Sequence, residues 1–125
     1  VSDLVRQARL EPIVQCDAFT DTAGNGNPAA VCFTQRWGKD WMQKAAKLQP
    51  VYHMVATEKN LPETAFVERL ETDAAAADAE RYALRWFTPT CEVDLCGHAT
   101  LGAAHALWST QRAKRRKIDF VTEAG

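Results

Sequence analysis

From Ala99 to Trp108 the sequence ATLGAAHALW carries no Asp, Glu, Lys or Arg. Its alanines predict a helix. A helix so free of charge has no face made for water, so it is expected to be buried nearly all round. That requirement restricts the fold more than any other feature, because the rest of a short chain must then form a sheet wrapped around this helix. One helix face carries Leu101, Ala104, His105 and Trp108, and His105 reads as a core histidine. Upstream, Tyr82 to Phe87 is bulky and aromatic and reads as a strand. Alternation puts Tyr82, Leu84 and Trp86 on one face and Ala83, Arg85 and Phe87 on the other. Thr88, Pro89 and Thr90 break it.

The loop that follows delivers Cys96, Gly97, His98, Ala99 and Thr100 to the helix start. Free N–H groups and the helix dipole make such a start an anion site. A glycine there lets a ligand come close to the backbone. We read Gly97–Thr100 as a carboxylate-sized pocket, with His98 as a titratable group beside it.

The 125 residues are the size of one domain, and folding would bury roughly two-thirds of the unfolded surface. The net charge of −1 gives no global pull toward nucleic acid or an acidic membrane. No apolar run approaches a membrane span, and Val1–Leu10 lacks the apolar core of a secretory signal. Cys16, Cys32, Cys91 and Cys96 form no CxxC pair. They read as reduced thiols of a cytoplasmic protein. Cys91, Cys96, His98 and His105 do not match structural zinc spacings, and the two histidines lie two helical turns apart, so no metal is expected. Basic residues crowd into Arg112–Lys117. Without interleaved aromatics this segment reads as a solvated turn rather than a nucleic-acid site.

Elsewhere, Ile13–Phe19 and Ala29–Phe33 are expected as two strands of a hairpin, joined by the turn cluster Thr20–Pro28. Trp37–Leu48 reads as a helix with Trp41, Ala45 and Leu48 in an apolar stripe, its tryptophans packed in a core. Pro50 is expected to end or kink it, and Val51–Asn60 to resume as a short helix with His53 partly buried or at the surface. Leu61–Arg69 turns into a strand. Glu63 stands at the mouth of that strand, after Pro62, where a carboxylate can point into a cleft. Leu70–Glu80 is acidic and alanine-rich and reads as a solvated loop or short surface helix. Ile118, Phe120 and Thr122 alternate as a last strand. The sum is a single α+β domain over 1–125, with 1–11 as a tail.

Several segments then combine in one order: Asp17–Thr20 (DAFT), Gly26–Val31 (GNPAAV), Met42-Gln43, Asn60–Val67 (NLPETAFV), Arg85–Pro89 (RWFTP) and Val93–Leu101 (VDLCGHATL). Together they resemble the N-terminal half of a phenazine-biosynthesis PhzF-like isomerase. The resemblance covers residues 13 to 122, and ETAF, RWFTP and DLCGHAT are its specific parts. It implies a fold like that of diaminopimelate epimerase, in which each of two similar domains is a mixed sheet or barrel wrapped around a central helix. It also implies cofactor-independent chemistry, best understood as isomerisation of a dihydro-hydroxyanthranilate on the way to phenazines.

The family's catalytic carboxylate matches Glu63. It would take a proton from a carbon beside an unsaturated or carbonyl system and return it elsewhere. A solvated carboxylate is too weak a base for that, so an apolar cleft must raise its proton affinity. Gly97, with Ala99, Thr100 and the helix start, would hold the carboxylate of a small substrate. His98 would stabilise developing charge or orient the ring, and Asn27 would be a weaker cleft contact. The family's site lies between two domains, so the expected partners are a substrate and either a homodimer mate or the second family domain. No nucleic acid or membrane is expected.

Three departures accompany the resemblance. Pro62 stands where the family has a serine, which removes a hydroxyl and an N–H. Lys47–Thr57 reads as an insertion that reshapes the cleft wall. The second domain is absent from these 125 residues, and half a cleft is open to water, which weakens both the base and every charge contact. A catalytically silent binding or interaction domain is therefore the competing expectation.

Overall fold

The computed structural model describes residues 14–18, 27–34, 41–70, 79–93 and 96–122. In chain order the elements are β1 (Val14–Ala18), β2 (Asn27–Thr34), α1 (Trp41–Lys59), β3 (Glu63–Leu70), β4 (Ala79–Phe87), β5 (Glu92–Val93), α2 (Gly97–Ser109) and β6 (Lys117–Val121). The expected tail over 1–11 lies outside the described residues, as does 71–78 of the expected acidic loop.

The strands form one mixed sheet curled into a half-barrel, the α+β architecture expected. β1 and β2 pair antiparallel, with Cys16 opposite Ala29. β2 and β3 run parallel, with Ala29 beside Glu63. Parallel neighbours need a long crossover, which α1 supplies. β3 and β4 are antiparallel, with Thr64 opposite Phe87. The far edge of β4 is shared by β5 at Trp86 and Phe87 and by β6 from Ala79 to Ala83. This register gathers the starts of β2 and β3, the end of β4 and the start of α2 at one end of the sheet.

Each face of the sheet carries a helix, because strand alternation sends apolar side chains both ways. Inward, Val31, Ala65, Val67, Leu84 and Trp86 pack on Ala99, Ala103, Ala106 and Leu107 of α2. Outward, Cys32, Phe66 and Phe87 pack on Leu48, Val51, Tyr52 and Ala56 of α1. Between Trp86 and Phe87 on one strand, the alternation read from the sequence therefore separates two cores. Buried Arg85 points outward and holds Glu92 through two contacts of 2.7 Å. This ion pair ties β4 to β5 across the Thr88–Cys91 turn. Thr88 Oγ1 accepts the N–H of Thr90 at 3.2 Å and of Cys91 at 3.1 Å. The Pro89 carbonyl in turn accepts His53 Nε2 at 3.2 Å and Thr57 Oγ1 at 2.8 Å, fastening α1 to the turn.

Two expectations need correction. Pro50 neither ends nor divides the helix, since α1 runs from Trp41 to Lys59 with Pro50 inside it. Pro50 is exposed, whereas Leu48, Val51, Tyr52 and Ala56 are buried. Burial of that stripe holds the helix together across the lost hydrogen bond. Lys47–Thr57, read as an insertion in a cleft wall, is thus part of this packed helix.

The second correction concerns α2, which is buried on one side rather than all round. Its buried stripe is Ala99, Gly102, Ala103, Ala106 and Leu107, small residues that let the sheet approach closely. Leu101 is 51% and Trp108 44% exposed. His105, expected in the core, is exposed beside them. Trp86, by contrast, is a core tryptophan.

The basic segment is a turn, as expected, and Glu80 organises it. That buried carboxylate accepts the N–H groups of Lys114 at 2.7 Å and Arg115 at 2.9 Å. It also pairs with Arg69 at 3.3 Å. Among the described residues no helix is long and apolar enough to cross a membrane.

Candidate active site

Glu63 is the first residue of β3. Counting by twos from Ala65 and Val67 puts its side chain on the face that packs against α2. Because β3 begins at the end of the sheet where α2 begins, Glu63 meets Cys96 and His98. Glu63 Oε2 is buried and has no hydrogen-bond partner. Burial pushes this carboxyl above its ordinary pKa, while nearby His98 and a hydrogen bond from the Cys96 thiol pull the other way.

His98 is half-buried, with Nδ1 3.3 Å from Cys96 Sγ. Its Nε2 is buried and, like Glu63 Oε2, without a partner. Cys96 is the N-cap of α2 and is itself buried. Burial pushes its thiol up, and the Glu63 carboxyl adds to that, while the N–H groups of Ala99 and His98 oppose it. Such a cluster can hold a proton on a carboxyl, present a nitrogen to a ligand, and keep both in a partly dry setting.

Gly97 is exposed, and a Cβ built on it would meet nothing within 4 Å. Neither packing nor a left-handed backbone demands glycine there, so the open space leaves a route for a ligand to reach the helix start. The first intrahelical bond runs from the Thr100 N–H to the Cys96 carbonyl at 3.1 Å. The N–H groups of Gly97, His98 and Ala99 precede it and have no intrahelical acceptor. The Thr100 hydroxyl is committed to the fold: it accepts Trp86 Nε1 at 2.9 Å and donates to the Cys96 carbonyl at 2.7 Å. Thr100 therefore offers the pocket no free donor of its own, and it locks the helix start onto β4.

The other sequence-derived positions are placed as follows. Asn27 opens β2, two residues before the partner of Glu63, so its backbone stands at the same end of the sheet; its side chain lies outside the described residues. Pro62 is exposed. His105 is on the solvent-facing side of α2 and does not join the cluster. Among the described residues no three His, Cys, Asp or Glu side chains gather to hold a metal ion. The residue that sequence reasoning passed over is Cys96, read there only as a reduced thiol. Its signal was position: it precedes the glycine of the pocket and sits two residues from His98.

A family model described as phenazine biosynthesis-like protein matches residues 16–125. The chain is 45% identical over 116 residues to an uncharacterized isomerase of Halalkalibacterium halodurans, covering 91% of this chain and 37% of that protein. It is 41% identical over 114 residues to phenazine biosynthesis-like domain-containing protein 1 of Mus musculus, covering 91% and 36%. The crystal structure of a PhzF-family phenazine biosynthesis protein from Enterococcus faecalis superposes with a TM-score of 0.68 at 35% identity, over 90% of this chain and 37% of that one. The chain thus spans little more than a third of the length of these relatives. Sequence match and superposed fold agree: the chain belongs to the PhzC–PhzF family of phenazine biosynthesis-like proteins.

Proposed function

We propose that this chain carries one wall of the acid–base site of a PhzF-like, cofactor-independent isomerase acting on a small carboxylate-bearing substrate. Glu63 takes a proton from a carbon of the substrate and returns one at another position. The N–H groups at the Gly97 end of α2 receive the substrate carboxylate, and His98 stabilises charge that develops on the ring or carbonyl. A second family domain, or a second copy of the chain, supplies the opposite wall. Free thiols at Cys32, Cys91 and Cys96 favour a reducing compartment such as the cytoplasm.

The observation that carries this reading is the pair of buried, unpartnered atoms, Glu63 Oε2 and His98 Nε2. Buried polar atoms normally find partners within the protein. Two left open in one cluster, beside an uncovered helix start, are what a substrate would satisfy. The upward shift of Glu63 supports the same role, since a general base works best with a pKa near the working pH. The name of the Halalkalibacterium relative, an isomerase, points the same way.

The test is deuterium uptake from D2O into a dihydro-hydroxyanthranilate-type acid, followed by NMR with the full-length protein. Glu63→Gln should slow uptake by about 10²- to 10⁴-fold, the range for loss of a general acid–base group. Unchanged uptake would overturn the assignment. Binding of the acid by wild-type protein with no uptake at all would identify a binding domain instead.

A further inference from the structure

Thr100 offers the pocket no donor of its own, yet its hydroxyl bonds the peptide that does. We propose that Thr100 and Trp86 are positioning residues: together they hold the Cys96–Gly97 peptide so that the Gly97 N–H faces the ligand. The inference rests on the reading that N–H groups at the Gly97 end of α2 receive the substrate carboxylate.

Donors and acceptors follow from chemistry alone. An indole N–H only donates, a carbonyl only accepts, and a hydroxyl has a single hydrogen. Trp86 Nε1 therefore donates to Thr100 Oγ1 at 2.9 Å, and the Thr100 hydrogen goes to the Cys96 carbonyl at 2.7 Å. Threonine hydroxyls in helices often bond the carbonyl four residues back. Here the indole fills the other side of the hydroxyl and holds the bond in place. The Cys96 carbonyl also accepts the Thr100 N–H at 3.1 Å, so both of its lone pairs are engaged.

A peptide unit is planar, and in its trans form the C=O and the following N–H point opposite ways. Among the described residues no peptide bond is cis. Drawing the Cys96 carbonyl into the helix thus sends the Gly97 N–H out of its start. Glycine is the reason this peptide needs holding. With open space where a Cβ would stand, Gly97 admits a ligand, but it also leaves the preceding peptide free to turn over. The indole reaches the lock from β4, where Trp86 pairs with Ala65, two residues beyond Glu63 on β3. One core side chain thereby fixes the anion donor relative to the strand that carries the base.

The experiment measures, by calorimetry, the affinity of the full-length protein for anthranilate and for its neutral amide, anthranilamide. Wild type should prefer the acid. Thr100→Val keeps the branched shape without the hydroxyl, and Trp86→Phe removes the indole donor. Each should narrow the preference about threefold to tenfold, the difference between hydrogen bonds to charged and to neutral groups. Thr100→Ser retains the hydroxyl and should retain the preference. A merely structural role would weaken both ligands alike and leave the ratio unchanged.

An undiminished preference in Thr100→Val or in Trp86→Phe, or its loss in Thr100→Ser, would overturn the proposal. Either of the first two variants decides the matter if the other does not fold. Wild type with no preference for the acid removes the carboxylate reading and the proposal together, whereas a wild-type preference that the variants keep removes only the positioning role. The acid–base role of Glu63 fails separately, through deuterium uptake that Glu63→Gln does not slow.

Discussion

At the scale of single residues, two glutamates shift in opposite directions, although burial pushes both upward. Burial dominates at Glu63 and raises its pKa. A carboxyl raised in the folded state contributes stability that is complete below its unfolded value and is lost as pH rises through the folded one. Glu63→Gln should therefore be more stable than wild type near pH 7, and the two should converge in acid. Thermal melts at pH 4 and pH 7 would show this as a gap present only at the higher pH. At Glu80 burial also pushes upward, but the N–H groups of Arg115 and Lys114, with the charges of Arg69 and Arg115, outweigh it and lower the pKa. Its contribution is present above the ordinary carboxylate range and is lost as pH falls through the lowered value. Glu80→Gln should thus lose stability near neutrality, with a shallower acid limb in the same melts. The excess proton affinity of Glu63 is what a proton-abstracting carboxylate needs, and the carboxylate that stabilises the fold is the one held ionised.

At the scale of elements, α1 and the β4–β5 turn show packing overriding local preference. Proline inside a helix is disfavoured, and Pro50 is exposed. Pro50→Ala restores an N–H donor and should raise stability by up to about 3 kcal/mol, measured by urea unfolding. A marked loss would mean that Pro50 is required by the shape of α1. The Arg85–Glu92 pair makes the reverse case. The two side chains are only 6% and 17% exposed, so removing Glu92 takes a bidentate charged partner from a buried arginine. Glu92→Leu should cost about 3 kcal/mol by the same measurement. The RWFTP run read as a strand and a breaker was right at this scale. Its arginine, however, is explained by a partner beyond the turn.

For the whole molecule, the half-barrel makes the two sides of α2 unequal. Leu101 faces solvent and Ala103 is fully enclosed. Leu101→Lys should change the stability of the 125-residue chain by no more than about 0.5 kcal/mol. Ala103→Leu forces a larger side chain against the sheet and should cost about 1–3 kcal/mol. Equal costs at the two positions, read from denaturant midpoints, would mean that the sheet encloses the helix completely. The same asymmetry corrects the view of α2 as buried all round. An absence of charge tells which residues avoid strong solvation, but it does not tell how far a sheet will curl.

Local sequence by itself determined β1, β2, β3, β4 and β6, the helical character of 99–108 and the two faces of β4, because alternation and helix propensity are set within a few residues. The same reading marked Glu63 at a strand mouth and His98 at a helix start, since each position is local. Only the tertiary structure decided that these two residues meet. That depends on β2 and β3 running parallel across the α1 crossover, a pairing between distant segments. It also decided that the Cys96 thiol lies 3.3 Å from His98 Nδ1, that Thr100 turns its hydroxyl to Trp86, and that His105 looks outward. Each of those outcomes follows from which atoms lie opposite one another after packing, and sequence spacing carries no record of it.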